Sequence, residues 1–144
     1  MPYIQFDLPR NPSEDDFDAL AAKVADLYAD VMQTSPSGVT VAVRELGSRR
    51  VLRDGRPVVA VRCDIRSGRP DAQREAFAVG LTGLVADCAD ALGSPQSVIY
   101  FSEGPGRLIF EDGTPNPIGH RRRRPPDGAR VRPRKLMTRC PVFW

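Results

Sequence analysis

Apolar and polar residues alternate over Tyr3–Leu8, with Ile4, Phe6 and Leu8 on one side. That is the period-two pattern of a strand with one buried face. The period then lengthens. Phe17, Leu20, Ala21, Val24, Leu27 and Val31 recur at helical spacing and predict an amphipathic helix over roughly 13–32. Ser13 stands at its start with Asp16 three residues on, the arrangement of a capping box. Ser35-Pro36-Ser37-Gly38 breaks the helix, and Val39–Glu45 reads as a second strand with Val39, Val41 and Val43 on one face.

The same sequence of patterns returns. Val58–Ile65 is strand-like, and Pro70 is placed to open a helix at its first turn. Phe77, Leu81, Leu84, Val85, Cys88 and Leu92 form the apolar face of that helix, with Gly93 as its C-cap. Ser97–Ser102 is the fourth strand. Asp7-Leu8 matches Asp64-Ile65, and Ser35-Pro36 matches Ser94-Pro95, at an offset of 57–59 residues. The economical reading is an internal duplication of a β-α-β unit, at about 2–45 and 58–103. Residues 46–57 between the units are turn-rich, with Gly47 and Asp54-Gly55, and predict a short hairpin. Arg107–Glu111 is a short strand candidate closed by Asp112-Gly113.

Two such units predict an α/β (α+β) domain over 1–119, a four-stranded sheet with both helices on one face. The other face is left uncovered, and oligomerisation is the expected remedy. At 144 residues the chain suits one ordinary domain. No apolar run approaches the roughly 20 residues of a membrane span. Asp7, Glu14, Asp15 and Asp16 interrupt any signal-peptide pattern, so cytoplasmic residence is the expectation.

Charge divides the chain. Residues 120–144 hold nine basic side chains and one acid, leaving 12 basic and 17 acidic residues in 1–119. An acidic globule carries a basic, proline-rich tail. An arm along a neighbouring subunit is the preferred reading of that tail, and nucleic-acid contact the less favoured one. Cys63, Cys88 and Cys140 have neither disulfide-framework nor metal-ligand spacing, and His120 is the only histidine. No metal site and no cofactor are expected. Arg44 and Arg62, on the polar alternation of their strands, read as surface ion-pair partners.

Acid–base chemistry must therefore use another group. Removal of Met1 would expose the secondary amine of Pro2, and an α-amine titrates near ~7.7–8 unless its surroundings shift it. Arg66-Ser67-Gly68-Arg69 lies where the third strand meets the second helix, a junction at which two guanidinium groups can grip a carboxylate. Solvated loop arginines are the plainer account of that pair. Tyr100, in an apolar strand, can donate a hydrogen bond, and Glu111 can orient or deprotonate a water. A core tyrosine and a strand-edge glutamate are the plainer alternatives.

Taken together, the Pro start, the two β-α-β units and the Gly68-Arg69 opening of the second helix resemble the tautomerase superfamily. Within it the chain is most similar to the cis-3-chloroacrylic acid dehalogenase group over roughly residues 2–117. The resemblance implies Pro2 as acid/base, Arg66 and Arg69 as binders of a substrate carboxylate, and Tyr100 and Glu111 as activators of water. It also implies a homotrimer in which neighbouring subunits cover the open sheet faces. That group has a catalytic histidine on the first helix. Here Asp26-Leu27-Tyr28 puts Tyr28 at the matching position, a donor to a carboxylate but not a cation at neutral pH. Pro70 stands where the group has serine, and the basic tail has no counterpart. The expected activity is tautomerisation or hydration of an unsaturated or 2-oxo carboxylate, rather than efficient dehalogenation.

Overall fold

In the computed structural model, which describes residues 2–115, the two predicted β-α-β units meet along their first strands. Strand β1 (Tyr3–Leu8) leads into helix α1 (Glu14–Met32) and returns as β2 (Thr40–Glu45), parallel to β1. A two-residue hairpin, β3 (Leu52–Arg53) and β4 (Arg56–Pro57), precedes β5 (Val59–Arg66). Helix α2 (Asp71–Asp87), the short α3 (Ala89–Leu92) and β6 (Ser97–Gly104) complete the second unit, with β6 parallel to β5. The sheet order is β2-β1-β5-β6, and β1 and β5 run antiparallel at its centre. Gln5 pairs with Arg62, residues at equivalent places in the two units, so an approximate two-fold axis passes through that pair.

The core lies on one face of this sheet. Ile4, Phe6, Leu8, Val59, Val61, Cys63 and Ile65 alternate inward and pack against Leu20, Val24, Tyr28 and Met32 of α1 and Phe77, Leu81 and Val85 of α2. The alternating residues, among them Tyr3, Gln5, Ala60, Arg62 and Tyr100, line the other face, which carries no helix. Ser13 caps α1 by accepting from the Asp16 backbone N–H at 3.2 Å, while its own hydroxyl donates to the Asp16 carboxylate. The first turn holds Glu14, Asp15 and Asp16, favourable at the positive end of a helix dipole.

The structure departs from the sequence reading in three places. The second helix stops at Asp87 and resumes as one turn after Cys88, whose φ of −104° and ψ of 19° leave the helical region. Leu92 keeps its inward place across that break, and Gly93 caps the turn at φ 85° as expected. Pro70 is the cap preceding α2 rather than its first residue. Arg107 and Leu108 belong to a 3-10 turn, Gly106–Leu108, and only Phe110–Glu111 (β7) is strand, pairing with Thr114–Pro115 (β8). The β3–β4 and β7–β8 hairpins share one turn. Asp54-Gly55 and Asp112-Gly113 all have positive φ, between 50° and 77°, as a type I′ turn requires. The structural repeat thus extends to the hairpins, with Arg53 in the first at the place of Glu111 in the second. The basic tail over 120–144, with His120 and Cys140, lies outside the described residues.

Helices α1 and α2 touch most closely at Gly80. A Cβ there would stand 2.6 Å and 2.7 Å from the two Leu27 methyl carbons and 3.2 Å from its Cγ. Overpacking of about 1–3 kcal/mol outweighs the roughly 0.8–1 kcal/mol that alanine returns in helix propensity. Gly80→Ala is therefore expected to lower unfolding free energy in urea, and Leu27→Ala should cost less in that background than in wild type. On the open face Arg44 donates to Asp7 through Nε at 2.8 Å and Nη2 at 2.7 Å. That bond holds the Asp7 carboxyl below its ordinary value, against the opposing effect of burial. A depressed carboxylate contributes stability that is present above its unfolded pKa and lost as pH falls through the folded one. The acid limb of a stability–pH curve should be shallower in Asp7→Asn than in wild type; identical limbs would show the pair to be inert.

Candidate active site

The antiparallel pairing of β1 with β5 brings the start of one strand to the end of the other. Tyr3 pairs with Asp64, so Pro2, one residue earlier, lies at the level of Ile65, one strand spacing of about 4.8 Å away, where β5 runs out into the arginine loop. Pro2 is buried, and its carbonyl accepts from the Thr40 N–H at 3.0 Å, fixing it against the start of β2. Its position is set by sheet pairing on both sides.

The C-terminal end of α1 reaches the same end of the sheet. Tyr28, only 2% exposed, meets the Phe77 ring edge-on with centroids 5.3 Å apart. Burial raises the Tyr28 hydroxyl above its ordinary pKa, against the lowering influence of Arg69 and Arg66 and a hydrogen bond to Arg69. At neutral pH it is an uncharged phenol. The Arg69 Nη1 also donates to the Met32 carbonyl at 2.6 Å, in the last turn of α1.

Two features hold the arginine loop. Ser67 donates its backbone N–H to Gly104 at 3.0 Å, continuing the β5–β6 ladder past the strand end. Arg74, one turn into α2, donates to the Arg69 carbonyl at 2.7 Å and pairs with Asp71 and with Glu103 of β6. The Arg66 guanidinium lies over the backbone of Gly106, where a Cβ would come within 2.6 Å of Cζ. Neither Arg74 nor Gly106 stood out in the sequence, although Gly104-Pro105-Gly106 after a strand signals a close turn.

Pro2, Tyr28, Arg66 and Arg69 therefore converge at one end of the sheet. Tyr100 does not join them within one chain. It pairs with Arg62, whereas Arg66 pairs with Gly104 four residues further along β6, about 13 Å away at 3.3 Å per residue. Its ring is 58% exposed on the helix-free face. There, with Gln5, Ala60, Arg44 and Arg62, it borders a cavity of 490 Å³. Arg44 and Arg62 pair with Asp7 and Asp64. Glu111 is exposed on the β7–β8 hairpin, which follows the turn carrying Gly106. Cys63 is buried beneath the sheet, its thiol pushed up to about 12, and is no nucleophile at neutral pH. Among the described residues no three His, Cys, Asp or Glu side chains form a metal-binding group, and no helix is long and apolar enough to cross a membrane.

The arrangement brings together a strand-end proline, two guanidinium groups and a neutral phenol, and the guanidinium pair suits an anionic ligand. Comparison with known proteins agrees in fold. Residues 2–60, the first unit and its hairpin, match the family model described as tautomerase enzyme. No curated protein matches the chain. Among solved structures, N1, a member of the cis-3-chloroacrylic acid dehalogenase family, is 23% identical, with a TM-score of 0.64 over 80% of this chain and 83% of that one. The fused 4-OT R7, solved as an asymmetric trimer, is 19% identical, with a TM-score of 0.66 over 79% and 95%. Pt0534, solved after inactivation by 2-oxo-3-pentynoate, is 18% identical, with a TM-score of 0.65 over 79% and 94%.

The close approach at Gly106 is testable by itself. Gly106→Ala should displace the Arg66 guanidinium, seen as a shift of the Arg66 Nε–Hε resonance while that of Arg69 stays in place. An unmoved Arg66 resonance would show that the turn yields instead.

Proposed function

We propose that this chain is a protein of the tautomerase superfamily, a reading supported by its fold and by the match of its first β-α-β unit, and that its Pro2 amine performs acid–base catalysis on an unsaturated or 2-oxo carboxylate. The observation that carries this reading is the sheet pairing that brings Pro2 to the end of β5 where the Arg66–Arg69 loop begins, with Tyr28 at the same end. The positive charge of the Arg66–Arg69 loop receives the substrate carboxylate and stabilises negative charge that develops in conjugation with it. In keto–enol tautomerisation, neutral Pro2 takes the proton from the carbon next to the carbonyl. The enolate forms against the guanidinium charge, and the proton returns at another position. In hydration, Glu111 and Tyr100 direct water to the β-carbon while protonated Pro2 delivers a proton to the α-carbon. The neutral phenol of Tyr28 favours tautomerisation or hydration over dehalogenation, since it supplies no cation.

Assembly completes this reading. The helix-free sheet face, with Tyr100 exposed on it, is covered by neighbouring subunits in a homotrimer, and Tyr100 serves the Pro2 end of a neighbour rather than its own. The trimeric state of the fused 4-OT of the same fold supports that arrangement. The substrate is a small carboxylate, and the reaction needs no cofactor.

A panel of enol pyruvates, 2-hydroxydienoates and cis and trans 3-haloacrylates separates the chemistries. Intact mass should show Met1 removed from the active species, and Pro2→Ala should lower turnover by about 10²-fold or more. Turnover that rises with pH through a low pKa identifies Pro2 as a base; turnover that falls through a high one identifies it as an acid. Full activity on quantitatively Met1-bearing protein would refute the proline mechanism.

A further inference from the structure

Resting on the binding of a substrate carboxylate at the Arg66–Arg69 loop, we propose a division of labour within that loop. Arg66 carries the carboxylate, and Arg69 is a positioning residue that locks the last turn of α1 and with it Tyr28. Helix α1 has no basic residue in its last turn. Its terminal carbonyls lack intrahelical donors and form the negative end of the helix dipole. Arg69 supplies the missing cation from outside, through Nη1 to the Met32 carbonyl at 2.6 Å. The same guanidinium lies near enough to the Tyr28 hydroxyl, one turn earlier in α1, to lower its pKa against the effect of burial. Arg74 grips the Arg69 carbonyl from the other side, so its backbone is held as firmly as its head.

The duplicated half provides an independent comparison. Its strand-to-helix loop, residues 9–12, also sends an arginine to a helix end: Arg10 Nη1 donates to the Asp90 carbonyl in α3 at 2.9 Å. Met32 and Asp90 fall within the 57–59-residue offset of the repeat, although the two arginines occupy different places in their loops. The position equivalent to Pro2 is Val59, inside the chain and without a free amine. An arginine on the helix-end carbonyl is thus present where no imino group exists for it to serve. It is a device of the fold. Arg66 has no such counterpart, because Pro9 stands at its place. Its guanidinium lies over Gly106, in space that any side chain there would fill. Arg66 is the cation that sets the Pro2 end apart from its copy.

The test compares Arg66→Ala, Arg69→Ala, Arg69→Lys and Arg10→Ala by thermal midpoint, and the three variants of the pair by kcat and KM for ketonisation of the enol of phenylpyruvate. Arg66→Ala should raise KM about 10-fold. Arg69→Ala and Arg10→Ala should each lower the midpoint by about 3 °C. Arg69→Lys, which keeps a cation for the Met32 carbonyl, should restore the midpoint and hold KM within about twofold of wild type. A KM in Arg69→Lys raised as far as in Arg66→Ala would overturn the division, as would an Arg69→Ala protein that melts like wild type. Absence of turnover in wild type refutes the enzymatic reading instead. The midpoints then decide the anchor alone: matched losses in Arg69→Ala and Arg10→Ala uphold it, and no loss in Arg69→Ala overturns it.

Discussion

The antiparallel pairing of β1 with β5 is the constraint on which the rest of the molecule depends. Each β-α-β unit is internally parallel, and joining the two through their first strands inverts one relative to the other. The inversion sets the beginning of one unit against the end of the other unit's first strand. Pro2 comes level with Ile65, where the arginine loop begins, for that reason, although 63 positions separate the two in sequence. A slip of one residue in this register would turn Ile4, Phe6 and Leu8 away from the core. Burial of that face therefore holds the geometry around Pro2 as tightly as it holds the fold.

The second organising influence is electrostatic. Helix α1 ends next to the strand-to-helix loop of the other unit, and its unpaired carbonyls draw a guanidinium from that loop. The same loop is held by Arg74 between two carboxylates. Positive charge is thereby collected at a place where the chain needs it for its own helix end before any ligand arrives. The open face is handled differently. Its arginines are spent on Asp7 and Asp64, leaving the exposed ring of Tyr100 among neutralised charge.

Much of the architecture was legible because period is a direct record of burial. Alternation in β1 and β5 and the stripe on α1 each mark a face that the structure buries, and the matching of Asp7-Leu8 with Asp64-Ile65 and of Ser35-Pro36 with Ser94-Pro95 marked the two β-α-β units. The break at Cys88 was not legible, since Leu84, Cys88 and Leu92 keep helical spacing across it. The turn at Gly106–Leu108 was hidden by the apolar residues that follow it. Of the site, sequence could nominate Pro2, Arg66, Arg69 and Tyr28, and pairing brings them to one end. It could not say that Arg69 would also bond a helix carbonyl, because that contact joins residues 37 apart whose proximity only the packed helices create. The outward aim of Tyr100 was within reach: Ile99 and Phe101 pair with the buried Val61 and Cys63, so Tyr100 must face the other way.

The two Asp-Gly hairpins carry a further consequence. Their turns depend on the left-handed backbone of Asp54-Gly55 and Asp112-Gly113, whereas Arg53 and Glu111 just before them are exposed and bear no part of the bend. Two hairpins of one shape can therefore carry opposite charges at matching positions without disturbing that shape. Such a chain can vary the chemistry of one end while the matching end keeps its frame, so that structural symmetry does not require chemical likeness of its halves.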